Sequence, residues 1–335
     1  MLQGAMSEDS SDGHDADVSP DFEPDVVMSD CSDEEADFDR KIAARKLVSK
    51  LIFDNPMRYI GIPSSNMFVL DLLAENVPFR QKTSGLKKKE AVLLVLYRIR
   101  TGIPNDIVAD IFGVDKSAVS RLFARLVPVM ADCLRGLVRW PDAESTKRRL
   151  PHAFKAFYPD VQSIIDCFEI EIERPSGAVS QSMSWSEYKK SNTVKYFLSA
   201  TPDGLITCVS EGKPGRCSDM EVMRTSQYLG SLPAGATVLA DRGFKEVDAE
   251  LALRGCRLLR PASVKKDEKL TKDDVLIMKT IAGLRIHIER VIRRVRVFRF
   301  VQMHSRVPLG MVDLLDDVVV IVCGLVNLQE RIVKV

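Results

Sequence analysis

Residues 161–172 read VQSIIDCFEIEI, a run of apolar and β-branched residues whose alternation predicts a strand. One residue in it resists that reading. Asp166 stands mid-strand among Ile164, Ile165, Phe168 and Ile170, where an ionised carboxylate is costly unless something charged pairs with it. A metal ion is one such partner.

Working outward, the chain predicts four more strands. Val194 to Ser199 and Leu205 to Ser210 are joined through the turn Pro202-Asp203-Gly204, and Thr237–Ala240 and Cys256–Leu259 follow. Helices are expected over Asp219 to Leu229, over Val247–Arg254 and over Thr280–Val295. The last of these places Ile281, Leu284, Ile288, Val291, Ile292 and Val295 at helical spacing. Three antiparallel strands followed by alternating helices and strands imply an α/β fold. It has a ribonuclease H-like core, a mixed five-stranded sheet flanked by helices, over residues 159–335.

Two further acids close elements of this core. Asp241 ends the fourth strand in TVLADRGF (residues 237–244), where Gly243 permits a sharp exit and the side chain faces the sheet's carboxyl edge, the edge at which open α/β sheets bind ligands. Glu289 lies in LRIHIERVI (residues 284–292), near the buried flank of the long helix. Singly, such acids are salt-bridge or capping residues. Placed together on the first strand, the fourth strand and the last helix, Asp166, Asp241 and Glu289 suit a pair of hard divalent cations, and carboxylate oxygens are the ligands such ions take.

Before the core, composition changes twice. Residues 1–39 hold 14 Asp/Glu and no Lys or Arg, and too few aliphatic residues to offset chain entropy, so an acidic, disordered tail is expected. The chain as a whole carries 47 acids and 48 Lys/Arg; removing the tail leaves 33 acids, so residues 40–335 are strongly basic, which favours a polyanionic partner. Residues 40–140 read as helical. Within them Asn105 to Ala124 fits the helix-turn-helix template, with small Ala109, turn Gly113 and β-branched Val119, over a region of about residues 91–126. Asp115 is the expected N-cap of the second helix, which would point Lys116, Arg121 and Arg125 outward toward nucleic acid. A helix pair that only packs a subdomain is the plainer alternative. Residues 141–158 read as a linker.

Arg285, Arg290, Arg293, Arg294, Arg296 and Arg299 crowd the helix that carries Glu289 and the segment after it. Guanidinium forks suit phosphates, so Arg290, Arg293 and Arg294 are candidate nucleic-acid contacts, although a solvated helix face accounts equally well for about half of the six. His287, two residues before Glu289, points away from it and reads as structural sooner than as a proton carrier. Lys195 reads by default as a snorkelling lysine, with a neighbour of the cleft as the alternative, and Trp185 as a core or edge tryptophan, with a base-stacking platform as the alternative. Seven scattered cysteines, without CxxC pairs, imply neither a disulfide framework nor a zinc finger. The odd count and the lack of a secretory segment point to a reducing compartment, and no apolar run approaches a bilayer span.

Four blocks carry a resemblance: IIDCFEIEIERPS (164–176), NTVKYFLSATPDGLITCVSEGKPGRCSDMEV (192–222), VLADRGF (238–244) and IAGLRIHIERVIRRVRVF (281–298). In these, and in the helix-turn-helix that precedes them, residues from about 80 to 330 resemble the DDE-superfamily nucleases of PIF/Harbinger-type and related cut-and-paste transposases. The resemblance implies that Asp166, Asp241 and Glu289 are the catalytic triad and hold Mg²⁺ or Mn²⁺ for hydrolysis and transfer of DNA strands. Asp219, in GRCSD, matches another frequent family acid and is an additional site candidate. Where many relatives read Asp-Gly-Thr after the first strand core, this chain has Asp166-Cys167-Phe168, which replaces a small, flexible pair with bulkier residues.

The sequence therefore predicts a nuclear, metal-dependent DNA endonuclease of transposase descent. The alternative is a domesticated, non-catalytic DNA- or chromatin-binding adaptor that retains the fold. DNA is the expected partner. Room is left for a separate DNA-binding partner protein and for a homo-oligomer, and no membrane role is expected.

Overall fold

In a computed structural model describing residues 30–78, 85–261 and 271–332, everything described before residue 160 that has regular structure is helical. The acidic segment up to residue 29, expected to be disordered, lies outside the described residues. From Asp30 onward, where disorder was also expected, the chain is already helical: α1 runs over Asp30–Asp54. The chain divides into the units Met1–Asp39 and Arg40–Val335, and the second contains every residue whose contacts are described below.

Helices α2 (Pro56–Tyr59), α3 (Phe68–Asn76), α4 (Lys88–Thr101), α5 (Asn105–Phe112) and α6 (Lys116–Arg135) follow. Glycine in the left-handed region ends two of them: Gly102 (φ +65°) stops α4, and Gly113 (φ +58°) makes the turn between α5 and α6. A side chain at Gly113 would meet the backbone of Lys41 on α1 at 2.8 Å, so the absence of a Cβ is what lets α1 close over the turn. Arg45, one helical turn on, donates to the carbonyls of Phe112 (2.7 Å), Gly113 (2.6 Å) and Gly85 (2.8 Å). Asp115 occupies the N-cap position of α6 as expected, but its side chain makes no capping hydrogen bond.

Residues 141–158, read from sequence as a linker, carry two short helices, α7 (Ala143–Arg148) and α8 (His152–Phe157). Asp142 caps α7 by accepting from the Ser145 N–H at 2.7 Å, and Phe154 of α8 is fully buried. A polar run supplied the helix cap, and one aromatic anchored it to the core.

The sheet is built around β1 (Val161–Glu171). The other strands are β2 (Trp185–Ser186), β3 (Ser191–Ala200), β4 (Ile206–Val209), β5 (Lys213–Pro214), β6 (Thr237–Leu239) and β7 (Arg257–Leu259). β1 pairs antiparallel with β3 and parallel with β6; β3 pairs antiparallel with β4, and β6 parallel with β7. The order β4-β3-β1-β6-β7 is the mixed five-strand, ribonuclease H-like arrangement expected, with the two-residue strands β2 and β5 added along β3.

Helices cover both faces. Between β5 and β6 the expected helix is broken into α10 (Asp219–Arg224) and α11 (Tyr228–Ser231), after the short α9 (Ala178–Ser184) that precedes β2. The break has a local cause: the hydroxyls of Thr225 and Ser226 donate to the carbonyls of Glu221 (3.1 Å) and Met223 (2.5 Å), competing with the helix ladder. Together with α12 (Val247–Ala252) and the 3-10 turn Arg242–Phe244, these helices bury Met223, Tyr228, Phe244 and Leu251 against Ile165, Phe197 and Val238 on one face of the sheet. The opposite face, with Ile164, Phe168 and Ile170, joins a continuous core shared with α4, α6, α13 (Lys272–Arg296) and α14 (Leu315–Asn327).

The sequence reading gave no helix at α14, whose Val318–Val326 form one unbroken buried run behind the polar start Asp316-Asp317. It lies between α6 and β4, where a Cβ at Gly324 would come 3.1 Å from Leu134. Asn327 fixes its end by donating to the carbonyls of Leu137 (2.9 Å) and Ile206 (2.8 Å) and accepting from the Ile206 N–H (2.8 Å). The helix-turn-helix and the sheet are thereby parts of one packed body. Among the described residues no helix is long and apolar enough to cross a membrane.

Candidate active site

The site begins with strand register. β1 and β6 run parallel and their last paired residues are Ile164 and Leu239. Two residues further on along each chain segment stands an acid, Asp166 within β1 and Asp241 just past the end of β6. β1 continues along β3, Asp166 facing Leu198, while β6 has ended, so the edge of β1 that faced β6 is open at the level of the two acids.

Arg285 of α13 joins them. Its Nη1 lies 3.0 Å from Oδ1 of Asp241 and its Nη2 3.9 Å from Oδ2 of Asp166. Burial pushes the Asp166 carboxyl up to about 6; the Cys167 N–H (2.8 Å) and Arg285 pull it down, and the charges of Asp219 and Asp241 raise it. Arg285 is itself mostly buried, and its Nε has no hydrogen-bond partner.

A second charged group adjoins the first. Lys195 stands opposite Glu169 in the β1–β3 register and lies 3.6 Å from its carboxylate; it also donates to Asp219 Oδ1 (3.0 Å) and the Cys217 carbonyl (2.8 Å). Burial works against the charge on Lys195, but Asp219 and Glu169 more than offset it and leave its pKa above the ordinary value. Oδ2 of Asp219 is 3.6 Å from where a Cβ on Gly243 would sit, so this carboxylate abuts the chain two residues past Asp241.

Glu289 is exposed on α13, one turn beyond Arg285 on the same flank. Two turns further along that flank stands Arg296, which feels the charges of Asp166 and Glu169 although burial lowers its own pKa. Glu289 is thus carried by the helix flank that meets the acid pair. Among the described residues, however, no three acidic, histidine or cysteine side chains are drawn together so that they could hold a metal ion. The donor atoms at the strand ends are of the type a hard divalent cation takes, carboxylate oxygens of a part-buried Asp166 and of Asp241, with a guanidinium in contact with both.

The remaining sequence candidates divide. Lys116, Arg121 and Arg125 are exposed on α6, as expected, while Ala118, Val119, Leu122 and Phe123 are buried beneath them. On α13, Arg290 and Arg293 are exposed, but Arg294 donates to the backbone carbonyls of Glu330 and Arg331 and so fastens the chain's end to the helix. His287 is buried and packs edge-on against Phe154 at 5.2 Å; burial first and the charge of Arg290 second lower its pKa, against the opposing pull of the Pro202 backbone. It is not part of the acid cluster. Trp185 is half-buried at the sheet edge and donates to Glu187 at 3.2 Å.

Sequence reading missed the part played by Arg285, taken there as one of six arginines, and the Glu169–Lys195–Asp219 group. The spacing of four between Arg285 and Glu289 was a usable signal for the first. Strand pairing, which sequence does not display, was needed for the second.

Residues 165–327 match the family described as DDE superfamily endonuclease, and residues 84–136 match the helix-turn-helix of DDE superfamily endonuclease. No curated protein and no solved structure matches the chain.

Proposed function

We propose, from the match of residues 165–327 to the DDE superfamily endonuclease family and of residues 84–136 to that superfamily's helix-turn-helix, that this chain is a metal-dependent DNA endonuclease of PIF/Harbinger-type transposase descent, acting in the nucleus. The observation that carries this reading is the placement of Asp166 and Asp241 each two residues past the last pair of two adjacent parallel strands, beside an open strand edge. Asp166, Asp241 and Glu289 would hold the Mg²⁺ or Mn²⁺ ions, with Asp219 next to them. Two such cations supply an activated water and charge stabilisation at the leaving oxygen of a phosphodiester.

The chain's own groups do the rest. Asp166 must lose its proton to act as a ligand, and its pKa of about 6 makes that state the major one at neutral pH. Arg285 orients both aspartates. Lys116, Arg121 and Arg125 on α6, and Arg290 and Arg293 on α13, offer charge to the phosphate backbone.

A second reading has a specific observation behind it. With Arg285 set between the two aspartates, the pair is compensated by the chain itself, as it would be in an adaptor that binds DNA or chromatin without cutting it. Incubation of supercoiled plasmid with Mg²⁺ or Mn²⁺ and either wild type or Asp241→Ala separates the two. Nicking by wild type and none by the variant is expected. Equal nicking by both rejects the triad mechanism, and no nicking by either favours the adaptor.

A further inference from the structure

Away from the acid cluster, a cleft of about 660 Å³ opens between the start of α6 and the segment 299–314. Arg98 of α4 lines it. This side chain is only 5% exposed, yet its Nε and Nη1 have no hydrogen-bond partner, and Nη2 reaches only the weak acceptor Met311 Sδ at 3.0 Å. The guanidinium lies over the ring of Phe123 at 4.2 Å and near that of Phe300 at 5.5 Å. No carboxylate pairs with it among the described residues. Burial lowers its pKa to about 10, which leaves it cationic at neutral pH.

A buried cation without an anion is an expensive arrangement, and here it is not isolated. Ser305 Oγ and Asn105 Oδ1, on the same lining, are likewise buried without partners. Lys116, Arg299 and Arg306 stand exposed at the rim. The acid in the lining, Asp106, accepts from the N–H of Ile107 at 3.1 Å.

We propose that this cleft is an oxyanion site that takes one backbone phosphate of bound DNA, in a position between the helix-turn-helix and the nuclease core. The chemistry matches: the free Arg98 N–H groups and the Ser305 hydroxyl donate to phosphate oxygens. Asn105 Nδ2 lies 2.8 Å from Ser120 Oγ; with the amide turned end for end, the Ser120 hydroxyl donates to Oδ1 and the NH₂ faces the anion. The geometry singles out a strand of DNA as the source of the phosphate. Lys116, Ser120 and Ala124 line the cleft, and the adjacent stripe of the same helix, Ser117, Arg121 and Arg125, is exposed to a duplex. The proposal rests on the DNA-binding reading above and adds to it a clamp that ties recognition to the core.

The test uses the full chain, with a short duplex and inorganic phosphate as probes. Duplex affinity is measured against salt for wild type, Arg98→Met and Arg306→Ala. Each variant is expected to lose about one unit of the log–log salt slope. Melting in inorganic phosphate, against chloride at equal ionic strength, is expected to stabilise wild type more than either variant. Should Arg98→Met fail to fold, Arg306→Ala and Ser305→Ala decide the matter. Duplex binding with unchanged slopes overturns the clamp and leaves DNA binding standing. Phosphate stabilisation without duplex binding also overturns it and makes the cleft a site for small anions.

Discussion

The Nη1 of Arg285 sits 3.0 Å from Oδ1 of Asp241, in reach of the acid on one strand while Nη2 faces Asp166 on the next. One guanidinium from a helix thus spans two carboxylates that would otherwise repel each other. Replacing it, as in Arg285→Met, leaves the pair uncompensated. Asp241 is 47% exposed, so solvent screens much of the effect, and a loss of about 1 kcal/mol at neutral pH is expected from urea unfolding without divalent cations. Added Mg²⁺ should recover part of it. A variant as stable as wild type under both conditions would show that Arg285 does not compensate the acids.

Asp166 gives a pH dependence of defined sign. Its pKa is raised from 3.8 to about 6, first by burial, so the folded state holds this proton more tightly than the unfolded chain does. Between about pH 4 and 6 the folded protein binds more protons at this site, and its contribution to stability falls as pH rises through that window. The shift corresponds to about 3 kcal/mol, less some screening, since the side chain is 22% exposed. Metal-free unfolding of wild type and Asp166→Asn at pH 4 and 7 isolates it. The variant's stability should gain on wild type as pH rises, and parallel pH profiles would rule the shift out.

Gly113 makes the turn of the helix-turn-helix at φ +58°, with Lys41 backbone where a Cβ would sit. Gly113→Ala combines left-handed strain with a collision against main chain, which cannot swing aside. A destabilisation of about 2 kcal/mol or more is expected, seen as a lowered urea midpoint. Unaltered stability would mean that α1 does not close over the turn.

The two arginine environments predict opposite outcomes. Arg121 is exposed on α6, so Arg121→Ala should reduce the salt slope of duplex binding by about one. Arg294 is spent on the carbonyls of Glu330 and Arg331, so Arg294→Ala should leave that slope alone and lower the melting temperature. An unchanged slope for Arg121→Ala would reduce α6 to a packing element.

Much of this was legible in the chain. Alternation around Asp166 gave β1 nearly to its ends, and the turn residue Gly113, with small Ala109 before it, gave the helix pair. These signals are local, set by the two-residue and 3.6-residue repeats and by the conformations that glycine alone adopts freely. Where local signals were weak or misleading, the reading fell short. The segment 141–158 is polar enough to pass for a linker, yet Phe154 docks it to the core. Within Leu315–Asn327, Val318–Val326 is one unbroken buried run in which a helical period does not stand out.

By itself the sequence determined the main strands of the core, its long helix α13 and the turn of the helix pair, and that Asp166, Asp241 and Glu289 would fall on or just past three elements of one α/β core, because such patterns depend on neighbours a few residues away. Tertiary structure alone decided that the parallel register of β1 and β6 sets Asp166 and Asp241 at the same level, that Arg285 spans them, that Asp219 joins through Lys195, and that Arg98 is buried without an anion. Those relationships depend on pairing and packing between segments far apart in the chain, which no local pattern encodes.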